Sequence, residues 1–333
     1  MLLARRGLIS GVAALPIVVA GRARAAEFNY KLAHDIPVVH PLHIRLVEAA
    51  ERIRIATGGR VEITVFPNSQ LGSDIDTLGY LQAGTVPLFI LPAGILSSLV
   101  PAVAIANTGF AFKTYAQVWR AMDGSLGNYI RKEIGGFGIV PFGRVWNNGF
   151  RHSTTATKPV TAPEDLQGVK FRVPASPIAT NMFRAFGAVP QAINFNLVHS
   201  ALETHTVDGQ ENPLIQIQAA KLYEVQTYCS LTYHSWDAYW MLANAAMWKG
   251  LPDRLRDIIE HEMDRAGQEE RDDLARLDPH LRGDLAGAGL KFNAVDRGAF
   301  QDLLRKGGFY ADWRSKFGET AWKLLEEHAG ELA

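Results

Sequence analysis

The sequence predicts an α/β protein with two lobes, and three observations predict it. Strands and amphipathic helices alternate β-α-β-α-β between residues 28 and 91, the pattern of a mostly parallel sheet flanked by helices. A second strand–helix alternation fills 170–214. The chain is also long, 333 residues at 47% hydrophobic and 20% charged, enough for two domains' cores rather than one.

In chain order, 28–33 reads as the first strand, leading into a loop at 34–41. Residues 43–56 place Ile44, Val47, Ile53 and Ile55 among charges, an amphipathic helix closed by Gly58-Gly59. Residues 61–66 alternate cleanly as a strand before Pro67. Ser73 or Asp74 caps a helix to Ala83, Gly84 stops it, and 85–91 is the next strand. A helix is expected over 115–133 and a strand after 135–145. Gly135-Gly136-Phe137-Gly138 follows a helix and precedes a strand, the reverse of a dinucleotide-binding turn, so no such site is expected.

The Thr/Lys/Pro-rich run 153–163 reads as a crossover to the second lobe, with a capping signal at Thr161-Ala162-Pro163-Glu164. Residues 169–173 alternate apolar and basic, and Pro174 ends that strand. Ser176-Pro177 then opens a helix whose apolar face is Ile178, Met182, Phe183 and Phe186, closed by Gly187. A short strand at 189–193 precedes a helix capped by Asn194 or Asn196 and running through Glu203; 207–213 is extended and polar. Aromatic residues in 233–243 suggest a strand returning to the first lobe. Residues 252–277 form a long charged helix with Leu255, Ile258, Ile259, Met263 and Leu274 on one face. A late strand at 291–293 and helices over 296–331 complete the chain. The expected division is 1–25 as a signal peptide, 26–148 plus 238–278 as lobe I, and 149–237 plus 279–333 as lobe II.

The signal peptide rests on Arg5-Arg6, an apolar run over 7–20 and the small-x-small exit Ala23-Arg24-Ala25. Sec and twin-arginine export both fit. The run is too short to span a bilayer comfortably, and the apolar stretch 86–103 is broken by Pro87, Pro92 and Pro101, so the protein is not expected to span a membrane. Four of the 34 basic residues lie in the first 25 positions, leaving 30 against 34 acids and no basic stripe for nucleic acid. The single cysteine, Cys229, forms no internal disulfide and is expected in the core.

Catalytic signatures are missing. There is no Gly-x-Ser-x-Gly, and His261-Glu262 lacks the second histidine of a zinc helix. His34, His40 and His43 are interrupted by Pro41, so no metal or other cofactor is expected. Asp208 and Glu211 have the residue types of a glycosidic pair, but no second cluster completes a mechanism. Arg151 and Arg172 remain, each a rigid fork suited to a carboxylate. Arg151 makes either a rim salt bridge or a ligand contact. Arg172, between Phe171 and Val173, needs an anionic partner: Glu211 or Glu203 internally, or a ligand. Trp146, Phe195, Trp236, Tyr239 and Trp240 fall near the lobe junctions; most aromatics are core, and two or three are expected to line the cleft.

Several motifs carry a family resemblance: Phe66-Pro67-Asn68-Ser69-Gln70-Leu71-Gly72-Ser73, Leu81-Gln82-Ala83-Gly84-Thr85-Val86, Gly149-Phe150-Arg151, 163–174 from Pro-Glu-Asp-Leu to Arg172-Val173-Pro174, and Val207-Asp208-Gly209-Gln210-Glu211-Asn212-Pro213. In this order the chain resembles the periplasmic solute-binding proteins of TRAP transporters, the DctP-like group. The resemblance implies a two-lobed periplasmic-binding-protein fold with hinge segments and a long spanning helix. It implies that Arg172 grips a ligand carboxylate, Arg151 adds a second positive contact, Asn212 a hydrogen bond, and Phe195 packs on the ligand. His34, Asp35, Asp74 and the Pro92 loop would face it from lobe I, with Trp236 where the chain crosses back. The implied partners are an organic acid and the membrane subunits of a TRAP permease, in the periplasm.

The chain departs from the family at Thr85-Val86-Pro87, at Pro92 and at Asn107-Thr108-Gly109-Phe110. With Trp146, Phe110 and Trp236 available, the expected ligand is a monocarboxylate with an apolar or aromatic body, such as a 2-oxo or 2-hydroxy acid. The rival readings are a secreted lyase-like enzyme using His34 or Asp208, and a receptor feeding a sensor kinase.

Overall fold

The structure is a computed structural model that describes residues 25–332, so the expected signal peptide lies, but for Ala25, outside the described residues. The strands are β1 (Phe28–Ala33), β2 (Val61–Phe66), β3 (Leu88–Pro92), β4 (Ile139–Pro141), β5 (Trp146–Phe150) and β6 (His152–Thr155). They continue with β7 (Lys170–Val173), β8 (Val189–Ala192), β9 (Gly209–Asn212), β10 (Tyr228–Ser230), β11 (Trp236–Asn244) and β12 (Lys291–Asn293). One sheet runs β2-β1-β3-β11-β4, with β5 also on β11; the other runs β12-β10-β6-β9-β7-β8.

Around the first sheet lie α1 (Pro41–Ala56), α2 (Asp74–Ala83), α3 (Ala93–Leu96), α4 (Tyr115–Met122) and α5 (Ser125–Gly135). The second carries α6 (Pro177–Ala185), α7 (Val198–Glu203) and α8 (Leu214–Ala219). After β11 come α9 (Ala245–Gly250) and α10 (Asp253–Gly287), then α11 (Arg297–Lys306), α12 (Phe309–Phe317) and α13 (Glu319–Ala329).

The local signals act as their chemistry dictates. Ser73 accepts from Asp76 N at the start of α2, and Gly84 ends it in the left-handed region at φ 76°. Ser176 accepts from Ala179 N at the start of α6, with Pro177 in its first turn. The two-lobed α/β class holds, but each sheet is mixed. β1, β2 and β3 are parallel, whereas β11 runs antiparallel to β3, β4 and β5. The chain crosses between sheets on extended backbone, from β5 to β6 through Arg151 and from β10 to β11 through 231–235. A strand that arrives directly from the other lobe meets its neighbours from the opposite end.

Two helices differ from expectation. The 115–133 helix is interrupted at Asp123-Gly124, where a Cβ on residue 124 would run into Arg120 O. Asp123 there receives both Arg271 terminal nitrogens, at 2.8 and 3.0 Å, which ties the break to α10. α10 itself continues past the expected end at 277, through Pro279, for 35 residues in all. A mid-helix proline removes one hydrogen bond, to the carbonyl four residues earlier. The helix survives because Leu274, Leu281 and Leu285 are buried on either side of it. α10 packs against α1, α8, β5 and β12 and so touches both lobes. Arg45 to Asp273 (2.6 Å) and Arg52 to Glu262 (2.5 Å) fasten it to α1. The C-terminal helices do not stay with one lobe: α11 and α12 pack on α6, while α13 lies on α4 and α5. Cys229 is fully buried in an apolar cluster.

Glu270 is the one acid of α10 that is fully buried. Its Oε2 accepts from Asn147 N at 3.0 Å, and its Oε1 has no partner among the described residues. Burial pushes its pKa up to about 8. The folded chain therefore holds a proton that the unfolded chain releases near the ordinary carboxylate range, and this site's contribution to stability declines as pH rises towards 8. Glu270→Gln keeps the acceptor for Asn147 N without the charge. It is expected to raise the thermal midpoint at pH 8 by a few degrees and much less at pH 5. A lowered midpoint at pH 8 in a melting experiment would show that the ionised carboxylate is needed.

Candidate ligand-binding cleft

The two sheets present the carboxyl ends of their parallel strands to each other, where open α/β sheets place ligands. Asp35 follows β1 and Pro92 ends β3; Arg172 lies near the end of β7 and Asn212 ends β9. The lobes are closed. The Asn194 side chain, from the second lobe, accepts from Asp74 N at 3.0 Å and donates to Ser69 Oγ at 3.0 Å in the first.

Arg172 is 1% exposed. Its Nε donates to Ile193 O at 2.9 Å, and its guanidinium carbon lies 5.8 Å from the centre of the Phe195 ring. Among the described residues no carboxylate oxygen comes within 4.0 Å of it, and Nη1 and Nη2 have no hydrogen-bond partner. Burial lowers its pKa to about 10, against the opposing pull of Glu211, Asp35 and Asp74 at longer range. A buried cation with half its fork unengaged is costly unless an anion reaches it.

The wall opposite is acidic. Asp35 and Asp74 are both buried, and Asp35 Oδ1 and Asp74 Oδ2 have no hydrogen-bond partner among the described residues. Burial pushes Asp35 up to about 7, partly offset by a backbone hydrogen bond and by Arg172. Asp74 is also held well above the ordinary range, by burial and then by the neighbouring Asp35 charge. A void of about 20 Å³ is lined by Asp35, Pro92, Arg172, Phe195, Asn212, Gln216 and Tyr239, among others. That is room for about one water. An organic acid can therefore enter only when the lobes part, and they must close less tightly around it than here.

Arg151 is spoken for. It pairs with Glu211 through Nε to Oε2 and through Nη2 to Oε1 at 2.8 Å, and Nη2 also reaches Glu211 O (2.9 Å) and Asn212 Oδ1 (3.1 Å). Nη1 approaches Asp237 Oδ2 at 3.4 Å. His234 Nε2 adds a third contact to Glu211, at 3.0 Å, and its Nδ1 lies 2.8 Å from Thr232 Oγ1. Burial alone would raise the Glu211 pKa, but Arg151 and His234 outweigh it and bring it down to about 2. The internal arginine–glutamate pair considered for Arg172 thus forms on Arg151, which leaves Arg172 without one.

Of the residues singled out from sequence, Arg172, Arg151, Asn212 and Phe195 border the void together with Asp35. Asp74 lies close enough to perturb both Asp35 and Arg172. Trp146 and Trp236 do not line it. Trp146 packs against α10, where a Cβ on Gly267 would come within 2.7 Å of its Nε1. Trp236 meets the edges of Phe112 and Trp119 and donates to Asn147 Oδ1 at 3.0 Å. Phe110 is likewise a core residue. His34 also turns away: its Nε2 lies 3.0 Å from His43 Nδ1, its Nδ1 accepts from Ile36 N, and burial first, then the neighbouring histidines, lower its pKa to about 3. Asp208 sits at the start of β9, against Lys170 N, away from the void. Neither provides a proton-transfer group in the cleft.

The residues that sequence reasoning undervalued are Glu211, His234, Asp237 and Gln216. For Glu211 the signal was the polar run Gly209-Gln210-Glu211-Asn212, all of it buried as β9; Gln216, His234 and Asp237 lie outside that run and carried no comparable local signal. Among the described residues no group of three or more His, Cys, Asp or Glu could hold a metal ion, and no helix is long and apolar enough to cross a membrane.

Comparison with known proteins agrees with this geometry. The family model described as bacterial extracellular solute-binding protein, family 7, DctP, matches residues 32–307. An uncharacterized protein of Sinorhizobium fredii is 36% identical over 230 residues, 69% of this chain but only 42% of that longer protein. A solute-binding protein of Roseobacter denitrificans is 31% identical over 296 residues, 88% of this chain and 90% of the relative. The solved structure of that protein, with bound L-galactonate, has a TM-score of 0.84 at 28% identity, covering 92% and 99% of the two chains. A TRAP solute-binding protein of Sulfurospirillum deleyianum, with bound succinate, has a TM-score of 0.85 at 29% identity and covers 92% and 99%. The Roseobacter and Sulfurospirillum proteins are solute-binding proteins rather than enzymes. With its two closed lobes, its spanning helix and a buried arginine aimed into the cleft, the chain belongs to the DctP family of periplasmic TRAP solute-binding proteins, receptors for organic carboxylates.

Proposed function

We propose that this receptor binds a small monocarboxylate carrying a hydroxyl group near the carboxylate, and delivers it to a TRAP permease. The observation that carries the reading is Arg172, buried, with two terminal nitrogens that no acceptor among the described residues engages. A bidentate carboxylate is the partner that fits a planar fork. The relatives with bound succinate and L-galactonate support the class. A large aromatic body is no longer favoured, because Trp146, Trp236 and Phe110 lie in the core, and the apolar surface of the void comes from Phe195, Ile95, Pro92, Pro174 and the Tyr239 ring. Asp35 Oδ1 and Asp74 Oδ2 across from Arg172, and Gln216 Oε1 on Arg172's own lobe, have no hydrogen-bond partner among the described residues; a ligand hydroxyl, which both donates and accepts, suits the two acids in either protonation state and the Gln216 acceptor. This favours a 2-hydroxy acid over its 2-oxo counterpart. Export by residues 1–25, through either the Sec or the twin-arginine route, would place the receptor in the periplasm, where the permease meets it.

A thermal-shift screen over small organic acids tests this. A cognate ligand at about 100 times its dissociation constant adds about 2.7 kcal/mol of stability. Shifts from neutral sugars or amines, with none from any carboxylate, would refute the anion clamp. The pH dependence separates ligand types, because Asp35 sits near pH 7. A hydroxyl donor lowers the Asp35 pKa on binding, so affinity holds or rises as pH passes 7. A second carboxylate raises it, takes up a proton and weakens affinity over the same range.

A further inference from the structure

Beside the crossing strands lies a cavity of about 460 Å³ whose lining does not include Arg172, although Asn148 borders both it and the cleft void. Its walls come from every moving part. Tyr115 and Phe150 belong to the first lobe, His152 and Leu214 to the second, Tyr233 to the return crossing and Leu281 to α10. Arg151 and His152 are consecutive and point opposite ways, Arg151 into the cleft and His152 to this cavity. His152 is 3% exposed, its Nδ1 has no partner among the described residues, and its ring meets the Tyr233 ring edge-on at 4.3 Å. Tyr233 holds that position with φ at 45°, a conformation that costs a side-chain-bearing residue energy.

The mouth of the cavity is cationic. Lys113 and Arg282 both line it and are exposed, and among the described residues neither has a carboxylate oxygen within 4.0 Å. Asp278 is the single acid of the lining. The volume falls within the range of about 300–1,000 Å³ typical of small-molecule sites, and the mixture of apolar walls with a few charges is also typical.

We propose that this hinge cavity is a second binding site, taking an organic anion with an aromatic body, and that its occupant favours the closed receptor. The aromatic body lies among Tyr115, Phe150, Tyr233 and Leu281, and the anionic group meets Arg282 and Lys113. Because both lobes and α10 shape the cavity, opening the cleft changes its walls. An occupant fitted to the closed walls shifts the population towards closure, and by linkage the cleft ligand and the occupant strengthen each other's binding. The site goes beyond the carboxylate reading of the cleft and does not depend on which acid binds there.

The probe is 1-anilinonaphthalene-8-sulfonate, an aromatic anion whose fluorescence rises when its rings leave water. Titration of the folded full-length receptor is expected to give one site per chain. Arg282→Ala should weaken it about tenfold, and Leu231→Trp, which fills the cavity, should abolish it; melting curves confirm that both variants are folded. Arg172→Ala, which disables the cleft, should still bind one probe. Spin labels on Gln82→Cys and Ser200→Cys, one per lobe, should report shorter distances once the probe is bound. Probe binding that ignores both Arg282→Ala and Leu231→Trp overturns the site. Loss in Arg172→Ala alone puts the probe in the cleft, which overturns the second site and leaves the carboxylate reading standing. Unchanged label distances overturn the coupling to closure.

Discussion

Arg172→Ala is expected to weaken binding of the cognate carboxylate by about 100-fold or more, and Arg172→Lys by at least about tenfold. Hydrogen bonds to charged groups are worth about 1.5–3 kcal/mol each, and every 1.4 kcal/mol is tenfold in affinity. The fork offers two such bonds through Nη1 and Nη2, while Nε is held by Ile193 O at 2.9 Å and fixes its direction. Lysine restores a charge but not the fork, the Ile193 contact or the face laid towards Phe195. A second readout separates a ligand-gripping arginine from a structural one. Removing one partner of a buried ion pair costs several kcal/mol because the other charge is stranded. Arg172 has no such partner within 4.0 Å among the described residues, so the ligand-free Arg172→Ala protein should unfold in urea close to the wild-type midpoint. Unchanged affinity by calorimetry would remove Arg172 from the site, and a large loss of ligand-free stability would make it part of the frame.

How far the sequence could be read depended on the distance over which each feature is determined. The caps at Ser73 and Ser176 and the stop at Gly84 are settled within a turn of backbone, and they were legible. So was the need of Arg172 for an anion, since Phe171 and Val173 bury the strand around it. What was not legible was which arginine Glu211 would take. Arg151 is 60 residues away from Glu211 and Arg172 only 39, and both arginines border the same void. The choice falls to sheet order: β9 lies between β6 and β7, and the β6 side brings Arg151 onto the carboxylate. The tryptophans failed for a similar reason. Trp236 sits at the return crossing and Trp146 at the other end of β5 from Arg151, and both strands have two faces. The faces carrying these rings meet α10 and the Phe112–Trp119 cluster instead of the cleft. The end of α10 was expected too early, at 277: the helix runs on through Pro279, whose one missing hydrogen bond is outweighed by buried leucines on both sides.

The second large effect is expected at Glu211. Glu211→Gln should destabilise the ligand-free protein by about 3–5 kcal/mol at pH 7, because it leaves the Arg151 guanidinium buried without its counter-charge. The neighbouring acid cannot take over: Asp237 is 3.4 Å from Nη1 and already receives Asn107 at 2.7 Å and Asn148 at 2.9 Å. The pH dependence has a definite sign. Glu211 is held at about 2 in the fold against 4.5 ordinarily, so its contribution is present in full above that ordinary value and is lost as pH falls towards 2. Wild type should therefore lose stability between about pH 4.5 and 2 more steeply than Glu211→Gln, and the gap between their urea midpoints should narrow as the pH falls. The consequence reaches function through position. Arg151 stands alone between β5 and β6, His234 lies in the 231–235 crossing, and Glu211 joins them from β9, so this one carboxylate fastens both chain crossings to the second sheet. Loosening it frees the Asn212 side chain, which Arg151 holds at 3.1 Å beside the void. Ligand affinity should fall in Glu211→Gln even though the residue is not expected to touch the ligand. A loss below about 1 kcal/mol, with an unchanged acid limb, would mean that water screens the pair as it screens a surface bridge.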